Sequence, residues 1–389
     1  MTRLPTTILD DPALIAVLDA VEAQGNRAYL VGGAVRNALL GQPVDDIDIA
    51  TDARPEDVQR LARSAGLKPV PTGIEHGTVT VVSDGRGFEV TTFRRDVETD
   101  GRRAVVAFSD SLDEDAKRRD FTMNALYADR SGAVIDPVGG LPDLETRRLR
   151  FVGNPEQRIR EDYLRILRFF RFHAWYGRDA DPQAVAACAG LKDGLRQIAR
   201  ERIGSEMKKL LAAPNPVASV LLMAETGILP QILPDAETGA LADLVALEAR
   251  EDIPPAWPRR LATLSGGGGC ADALRLSRDE AHTQAALAEA MAAKWSLNEA
   301  GYRLGIKAGT DYALLAGSRG MTLPSNWPRL IARAAEAGLP ISARDLMPQL
   351  SGPAVGRGLK AAEALWIESG FTLPAPALID AALQAGEDE

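Results

Sequence analysis

The chain has 389 residues, 46% hydrophobic and 25% charged, long enough for two or three domains whose cores need no covalent staples. Two cysteines (Cys188, Cys270) and three histidines (His76, His173, His282) exclude a disulfide framework, a four-ligand zinc site and an HExxH metallohydrolase. The net charge of −9 is uneven: residues 1–150 carry 19 basic and 25 acidic side chains, residues 151–210 carry 12 and 8, so a polyanion would be met in the second segment through few, salt-sensitive contacts.

In chain order, Ala28–Val31 reads as a strand, Ala34–Leu40 as a helix and Asp46–Ala50 as a strand. Arg54–Ala65 is amphipathic, with Pro55 suited to a first helical turn. Thr78–Val82 and Phe88–Thr92 alternate as a hairpin around Ser83-Asp84-Gly85-Arg86-Gly87, and Ala104–Phe108 is a further strand. From Pro155 onward the pattern is helical with no convincing strand. It is broken at Pro214-Asn215-Pro216 and at Gly266-Gly267-Gly268-Gly269, the latter expected as a flexible loop. The class is α+β: a head over 1–150, a helical neck over 151–215, and a helical body and tail over 216–389. No run of ~18 apolar residues and no signal-peptide pattern occurs, so a cytoplasmic protein without a membrane partner is expected.

Four constellations carry possible chemistry. In Leu30-Val31-Gly32-Gly33-Ala34-Val35-Arg36 a strand runs through two glycines into a helix. Such a turn lets backbone N–H groups approach phosphate, and Arg36 adds a guanidinium, although a simple tight turn has the same look. In Asp45-Asp46-Ile47-Asp48-Ile49 the period of two puts Asp46 and Asp48 on one face and the isoleucines in the core. Adjacent carboxylates repel, and a hard cation such as Mg2+ would relieve that; a solvated strand end is the alternative. Glu89 on a neighbouring strand is either a third carboxylate or a surface residue. Arg118-Arg119-Asp120-Phe121-Thr122-Met123-Asn124 clusters two cations with an acid that could equally cap a helix. Arg165, Arg168 and Arg171 follow Asp162 at intervals of three, a slanting helical stripe ~13 Å long, suited to a nucleotide or merely to solvent.

Taken together and in this order, Gly-Gly-x-Val-Arg, Asp-x-Asp-Ile-Ala-Thr, Arg-Arg-Asp-Phe-Thr-x-Asn-Ala and Glu-Asp-x-x-Arg-x-x-Arg resemble the class II tRNA nucleotidyltransferases. These are CCA-adding enzymes and bacterial poly(A) polymerases with a DNA polymerase β-like head. Glu201-Arg202-Ile203-Gly204 resembles the family's later motif, which braces the neck. The likeness spans roughly residues 25–215. It implies that Asp46 and Asp48 hold a catalytic Mg2+ and that Gly33, Arg36 and Arg119 contact the nucleotide. It further implies that Asp120 reads the ribose, that Asp162 and Arg165 read the base, and that Arg168 and Arg171 complete the pocket. Arg94–Asp115 would be the mobile loop used in switching from C to A. The implied partners are the acceptor end of tRNA, CTP and ATP. Rivals within the family are a poly(A) polymerase and a CC-only or A-only enzyme; outside it, a non-catalytic RNA-binding relative. Asn37 departs from the Asp frequent after Val-Arg, and three histidines supply no HD phosphohydrolase motif.

Overall fold

Short β-branched runs punctuated by glycine build the sheet around which the N-terminal residues are arranged. The computed structural model describes residues 2–99, 104–265, 269–347 and 349–387. Its strands are β1 (Ala28–Val31), β2 (Asp48–Thr51), β3 (Lys68–Gly73), β4 (Thr78–Ser83), β5 (Arg86–Thr92), β6 (Arg94–Thr99), β7 (Ala104–Phe108), β8 (Tyr127–Ala128) and β9 (Val134–Ile135). Seven of them form one sheet in the order β3-β4-β5-β2-β1-β8-β9. Only β2 and β5 pair in parallel within it; the other neighbours are antiparallel. The register sets Glu89, Asp48, Val31 and Tyr127 in one row across four strands.

Three expectations need correction here. β2 begins at Asp48, so Asp46 lies in the segment leading into the strand; the alternation survives, with Ile47 and Ile49 buried and Asp46 and Asp48 exposed. The β4–β5 hairpin closes on Asp84 and Gly85 alone, both at positive φ (48° and 73°), a tight turn whose twist matches the strands. Arg94–Asp115 is not a plain loop, since β6 and β7 pair antiparallel and a helix follows; residues 100–103 of that segment lie outside the described residues.

Helices α1 (Pro12–Glu22), α2 (Gly33–Leu39), α3 (Pro55–Ser64) and α4 (Leu112–Lys117) accompany the sheet. Asp11 caps α1 through the Ala13 N–H at 3.0 Å, and prolines occupy the first turns of α1 and α3, where a missing N–H costs nothing. Leu14, Val17 and Val21 of α1 and Val58 and Leu61 of α3 are buried. Another apolar cluster joins Val31, Ala50, Phe93, Ala116, Ala125, Tyr127 and Val152, beside which Asp48 emerges.

After α5 (Gly140–Thr146) come α6 (Pro155–Glu161), α7 (Leu164–Tyr176) and α8 (Pro182–Gly190), with Asn154 and Asp181 capping α6 and α8. A two-residue strand does occur in this region: Asp179–Ala180 pairs parallel with Arg148–Leu149. Strands of two residues are too short to leave a periodic signal. Phe121, Phe151, Phe169 and Phe172 stack into an aromatic wedge beneath α7, with ring centroids 5.0 to 6.2 Å apart.

The chain divides into two compact units, Met1–Arg202 with Glu225–Gln231, and Ile203–Ala224 with Ile232–Glu389. In the second, α9 (Arg200–Leu211) contributes its later turns. There Gly204 lies so close to the Leu274 carbonyl that a Cβ would stand 2.0 Å from the oxygen, so only glycine fits. α10 (Leu241–Arg250), α11 (Trp257–Ser265), α12 (Arg278–Ala293) and α13 (Leu297–Ser318) surround a core that includes Leu244, Leu287, Tyr312 and Leu314. Inside it, Glu248 binds both Arg259 and Arg260, and Arg259 also reaches Asp311 at 2.6 Å. Arg260 donates to the carbonyls of Leu211 and Ala213, satisfying the end of α9. Helix α13 breaks at Gly305 (φ 73°). Beyond α14 (Trp327–Glu336), α15 (Pro353–Glu368) and α16 (Ala375–Glu387) close a smaller cluster of Leu346, Leu350, Ala362, Leu378 and Ala382. The expected loop at 266–269 lies, in its first three residues, outside the described ones. Among the described residues no helix is long and apolar enough to cross a membrane.

Candidate active site

The site starts from the end of β2. Asp48 is exposed, yet protein around its carboxyl displaces enough water to push its pKa up. Glu89, its register partner on β5, and Asp46 add to the rise, while Arg119 opposes it. Glu89 and Asp46 thus act on Asp48 as like charges and Arg119 as an opposite one. Among the described residues no group of three His, Cys, Asp or Glu side chains is assembled around a common metal position.

Beside Asp48 the chain turns through Gly32 into α2. Gly32 has φ 67° and ψ −121°, a backbone geometry that an L-side chain resists, and a Cβ there would meet Arg119 Nη1 at 3.4 Å. Gly33 opens the helix. Arg36, one turn on, is 5% exposed and is held by neutral groups: Asn124 Oδ1 and, at 3.1 and 2.9 Å, Asn37 Oδ1. Its guanidinium lies 3.9 Å from the Tyr176 ring centroid and 5.2 Å from that of Phe172. Burial pushes its pKa down, against the pull of Tyr176 and Asp120. Asn37 also donates to the Pro43 carbonyl at 3.0 Å, so it locks the turn after α2 without a salt bridge.

The third constellation forms no long helix, only a turn over Thr122–Asn124. Asp120 instead reaches across to α7. Arg168 donates to its Oδ2 through both Nε (2.9 Å) and Nη2, while the Phe121 N–H (2.9 Å) and Asn124 Nδ2 (3.1 Å) fill Oδ1. Burial alone would raise that carboxyl, but Arg168 and these hydrogen bonds outweigh it and hold it below the usual range. With both oxygens engaged, Asp120 is a brace for Arg168.

The arginine stripe also differs from expectation. Asp162 is not helical: at φ −155° and ψ 107° it separates α6 from α7, its Oδ1 accepting the Leu164 N–H at 3.0 Å and its Oδ2 taking Arg202 Nη2 at 2.8 Å. Two residues before a helix, an Asp is more useful as a cap than inside it. Arg165 turns back to Glu161 and, at 2.7 Å, to the Arg158 carbonyl. Arg119, Asp120, Asp162, Leu164, Arg165, Arg168 and Arg202 together line a cleft of about 330 Å3. Thus four of the expected nucleotide residues, Arg119, Asp162, Arg165 and Arg168, share one cavity. Gly33 and Arg36 stand outside its lining, as does Arg171, which lies over Phe172 at 4.6 Å.

A family described as "Poly A polymerase head domain" matches residues 28–150, and "Probable RNA and SrmB- binding site of polymerase A" matches residues 179–239. The CCA-adding enzyme of Streptococcus gordonii is 47% identical over 214 residues, 54% of this chain and 53% of the relative. That of Geobacillus stearothermophilus is 43% identical over 216 residues, 55% and 52% respectively. The Bacillus stearothermophilus CCA-adding enzyme solved in complex with CTP superposes with a TM-score of 0.73 at 31% identity, covering 92% of both chains. The chain belongs to the CCA-adding enzyme family. The matched region spans about half the length of the curated relatives. A Thermotoga maritima CCA-adding enzyme complexed with tRNA shares the fold, with a TM-score of 0.70 at 19% identity.

Residues to which the motifs gave no role in the pocket, but which hold its side chains, are Arg202, Glu161, Asn124, Asp115 and Tyr127. Arg202 was visible only as part of a bracing motif, yet it lines the cleft and holds Asp162. Asp115 and Tyr127 carried no motif signal at all. They are buried beside Arg119.

Proposed function

We propose that the chain adds C, C and A in turn to the 3′ end of tRNA, using CTP and ATP, without a nucleic-acid template. The observation that carries this is the position of Arg119, which lines the cleft shared by Asp162 and Arg165 and whose charge also reaches Asp48. Base-reading groups and paired carboxylates therefore meet at one guanidinium. The tRNA 3′-oxygen would form a bond to the α-phosphorus as the bond to the β-phosphate oxygen breaks and pyrophosphate leaves. Asp46 and Asp48 would hold a divalent cation, for which their donor set is suited: hard oxygens, no thiolate or imidazole, and an Asp48 carboxyl raised mainly by burial, to which the charges of Glu89 and, less, Asp46 add. A bound Mg2+ lowers the pKa of the attacking hydroxyl and neutralises phosphate charge.

The chain's own side chains would do the selecting. Cytosine and adenine both present an amino donor beside an unprotonated ring nitrogen. Asp162 would accept from the first and Arg165 donate to the second. Uracil and guanine present the reverse order, leaving acceptor facing acceptor and donor facing donor, each an unmade hydrogen bond to a charged group. Arg202 would keep Asp162 in place and Asp120 would do so for Arg168, while Arg119 and the Gly32–Gly33 turn face the triphosphate. Arg36 and Arg171 would support the pocket from behind.

The test uses tRNA transcripts ending before CCA, after C and after CC, each offered one labelled nucleoside triphosphate, with added length read on a gel. C, C and A added only at their proper stages is the expected result. Addition of A alone to any end would make the chain a poly(A) polymerase, and no addition would refute the proposal.

A further inference from the structure

The group on which that proposal turns, Arg119, is itself held by two residues. Its Nε donates to Tyr127 Oη at 2.9 Å and its Nη2 to Asp115 Oδ2 at 3.0 Å. Tyr127 Oη in turn donates to the same Asp115 Oδ2 at 2.7 Å, closing a three-membered ring of hydrogen bonds. Asp115 Oδ1 takes the Arg94 N–H at 3.2 Å. Asp115 is 2% exposed and Tyr127 fully buried. Among the described residues the hydrogen bonds of Arg119 use Nε and Nη2, leaving both Nη1 hydrogens, and Nη1 lies over Gly32, beside the turn into α2. Tyr127 belongs to the strand row that carries Asp48, two strands away. The anchor and the carboxylate that Arg119 faces are thus fixed in one rigid sheet.

We propose that Asp115 and Tyr127 are positioning residues that clamp Arg119 through Nε and Nη2, presenting Nη1 over Gly32 to a triphosphate oxygen of the incoming nucleotide. This rests on the function proposed above. A guanidinium free to rotate about its four side-chain torsions would lose both orientation and the advantage of being already ordered. Burial by itself would raise the Asp115 carboxyl, but Arg119 and Tyr127 outweigh it and keep it ionised. Burial raises the Tyr127 phenol, which stays protonated and able to donate. The clamp touches the triphosphate end, so it should serve CTP and ATP equally.

The test is Tyr127→Phe, which keeps the buried ring and removes only the hydroxyl, with Asp115→Asn as a second variant. Each is measured alone and combined with Arg119→Ala, with melting temperature recorded for all. The readouts are kcat/KM for CTP and ATP on tRNA, and binding of inorganic pyrophosphate to the protein without tRNA. Tyr127→Phe is expected to lower both kcat/KM values and pyrophosphate affinity by about tenfold, because Arg119 loses the bond that holds its Nε, with the CTP-to-ATP ratio unchanged. In the Arg119→Ala background it should change nothing further. Equal losses in both backgrounds, or wild-type pyrophosphate affinity in both clamp variants, would overturn the clamp. Failure of the wild-type protein to extend tRNA would instead overturn the proposed function, and pyrophosphate binding would still decide the clamp.

Discussion

Replacing Asp162 with alanine should change which nucleotides are used far more than it changes stability. The side chain has two duties that can be weighed separately. Its Oδ1 holds the N–H of Leu164 at the start of α7, a cap-like bond whose loss costs about 0.5–2 kcal/mol. Its Oδ2 pairs with Arg202 at 2.8 Å, but the two side chains are 33% and 51% exposed, so that ion pair contributes about 0–1 kcal/mol. The melting temperature should therefore fall by a few degrees. Base selection depends on something larger, a hydrogen bond from an exocyclic amine to a carboxylate, worth about 1.5–3 kcal/mol. Asp162→Ala should accordingly lower kcat/KM for CTP and ATP by about ten- to a hundredfold. UTP and GTP lose no such bond and are freed from facing a carboxylate, so their relative use should rise. Asp162→Asn sharpens the contrast, because an amide oxygen can still serve Leu164 while an N–H2 donor enters the cleft. The assay is kcat/KM for all four nucleotides on a tRNA lacking only its terminal A, alongside thermal melts. If Asp162→Ala lowers all four by one factor, Asp162 is a helix cap and the base is read elsewhere.

Asp46→Ala and Asp48→Ala should each cost about a thousandfold or more in incorporation while leaving the fold intact, since neither side chain packs in the core; retained turnover in Mg2+ would contradict the assignment. Because the Asp48 carboxyl is raised in the folded state, the folded chain binds more protons than the unfolded one between the ordinary and the raised pKa. Stability is thus lost as pH climbs through that window and stays lower above it. In metal-free buffer at pH 7, Asp48→Asn should melt higher than the wild type, with the gap closing in acid and on adding Mg2+; a lower melting point at pH 7 would count against it. Glu248→Ala should cost about 3–5 kcal/mol in urea unfolding, because it leaves the buried Arg260 with carbonyl acceptors but no paired carboxylate and two buried guanidiniums with Asp311 alone between them; Glu363→Ala, at a more exposed pair with Arg303, should cost under about 1 kcal/mol. Affinity for tRNA should fall with salt along a shallow slope of only a few phosphates, given the acidic chain outside 151–210; a slope of about ten would place the docking surface elsewhere.

Some of the site is written in local pattern. Ile47 and Ile49 alternate with Asp46 and Asp48, and a two-residue period needs nothing but the pleat to send the acids outward together. Gly32 announces a turn because its φ of 67° excludes most other residues. The helix of Arg165, Arg168 and Arg171 shows in its 3.6-residue period, but not the break at Asp162, where a cap competes with helix continuation and wins.

What a guanidinium does is not local. The stripe of arginines looked uniform in sequence, yet Arg168 pairs with Asp120, 48 residues away, and, outside the stripe, Arg36 is held by Asn124, 88 residues away. Asp115 and Tyr127, which sit in no motif, hold Arg119 only because β8 is seated next to β1. From the sequence by itself came the class of fold, the strand end that bears the carboxylates and the family. The tertiary structure decided which charges are free to meet a ligand and which are already paired, because long side chains choose partners by distance in space, and only strand order and helix packing set that distance.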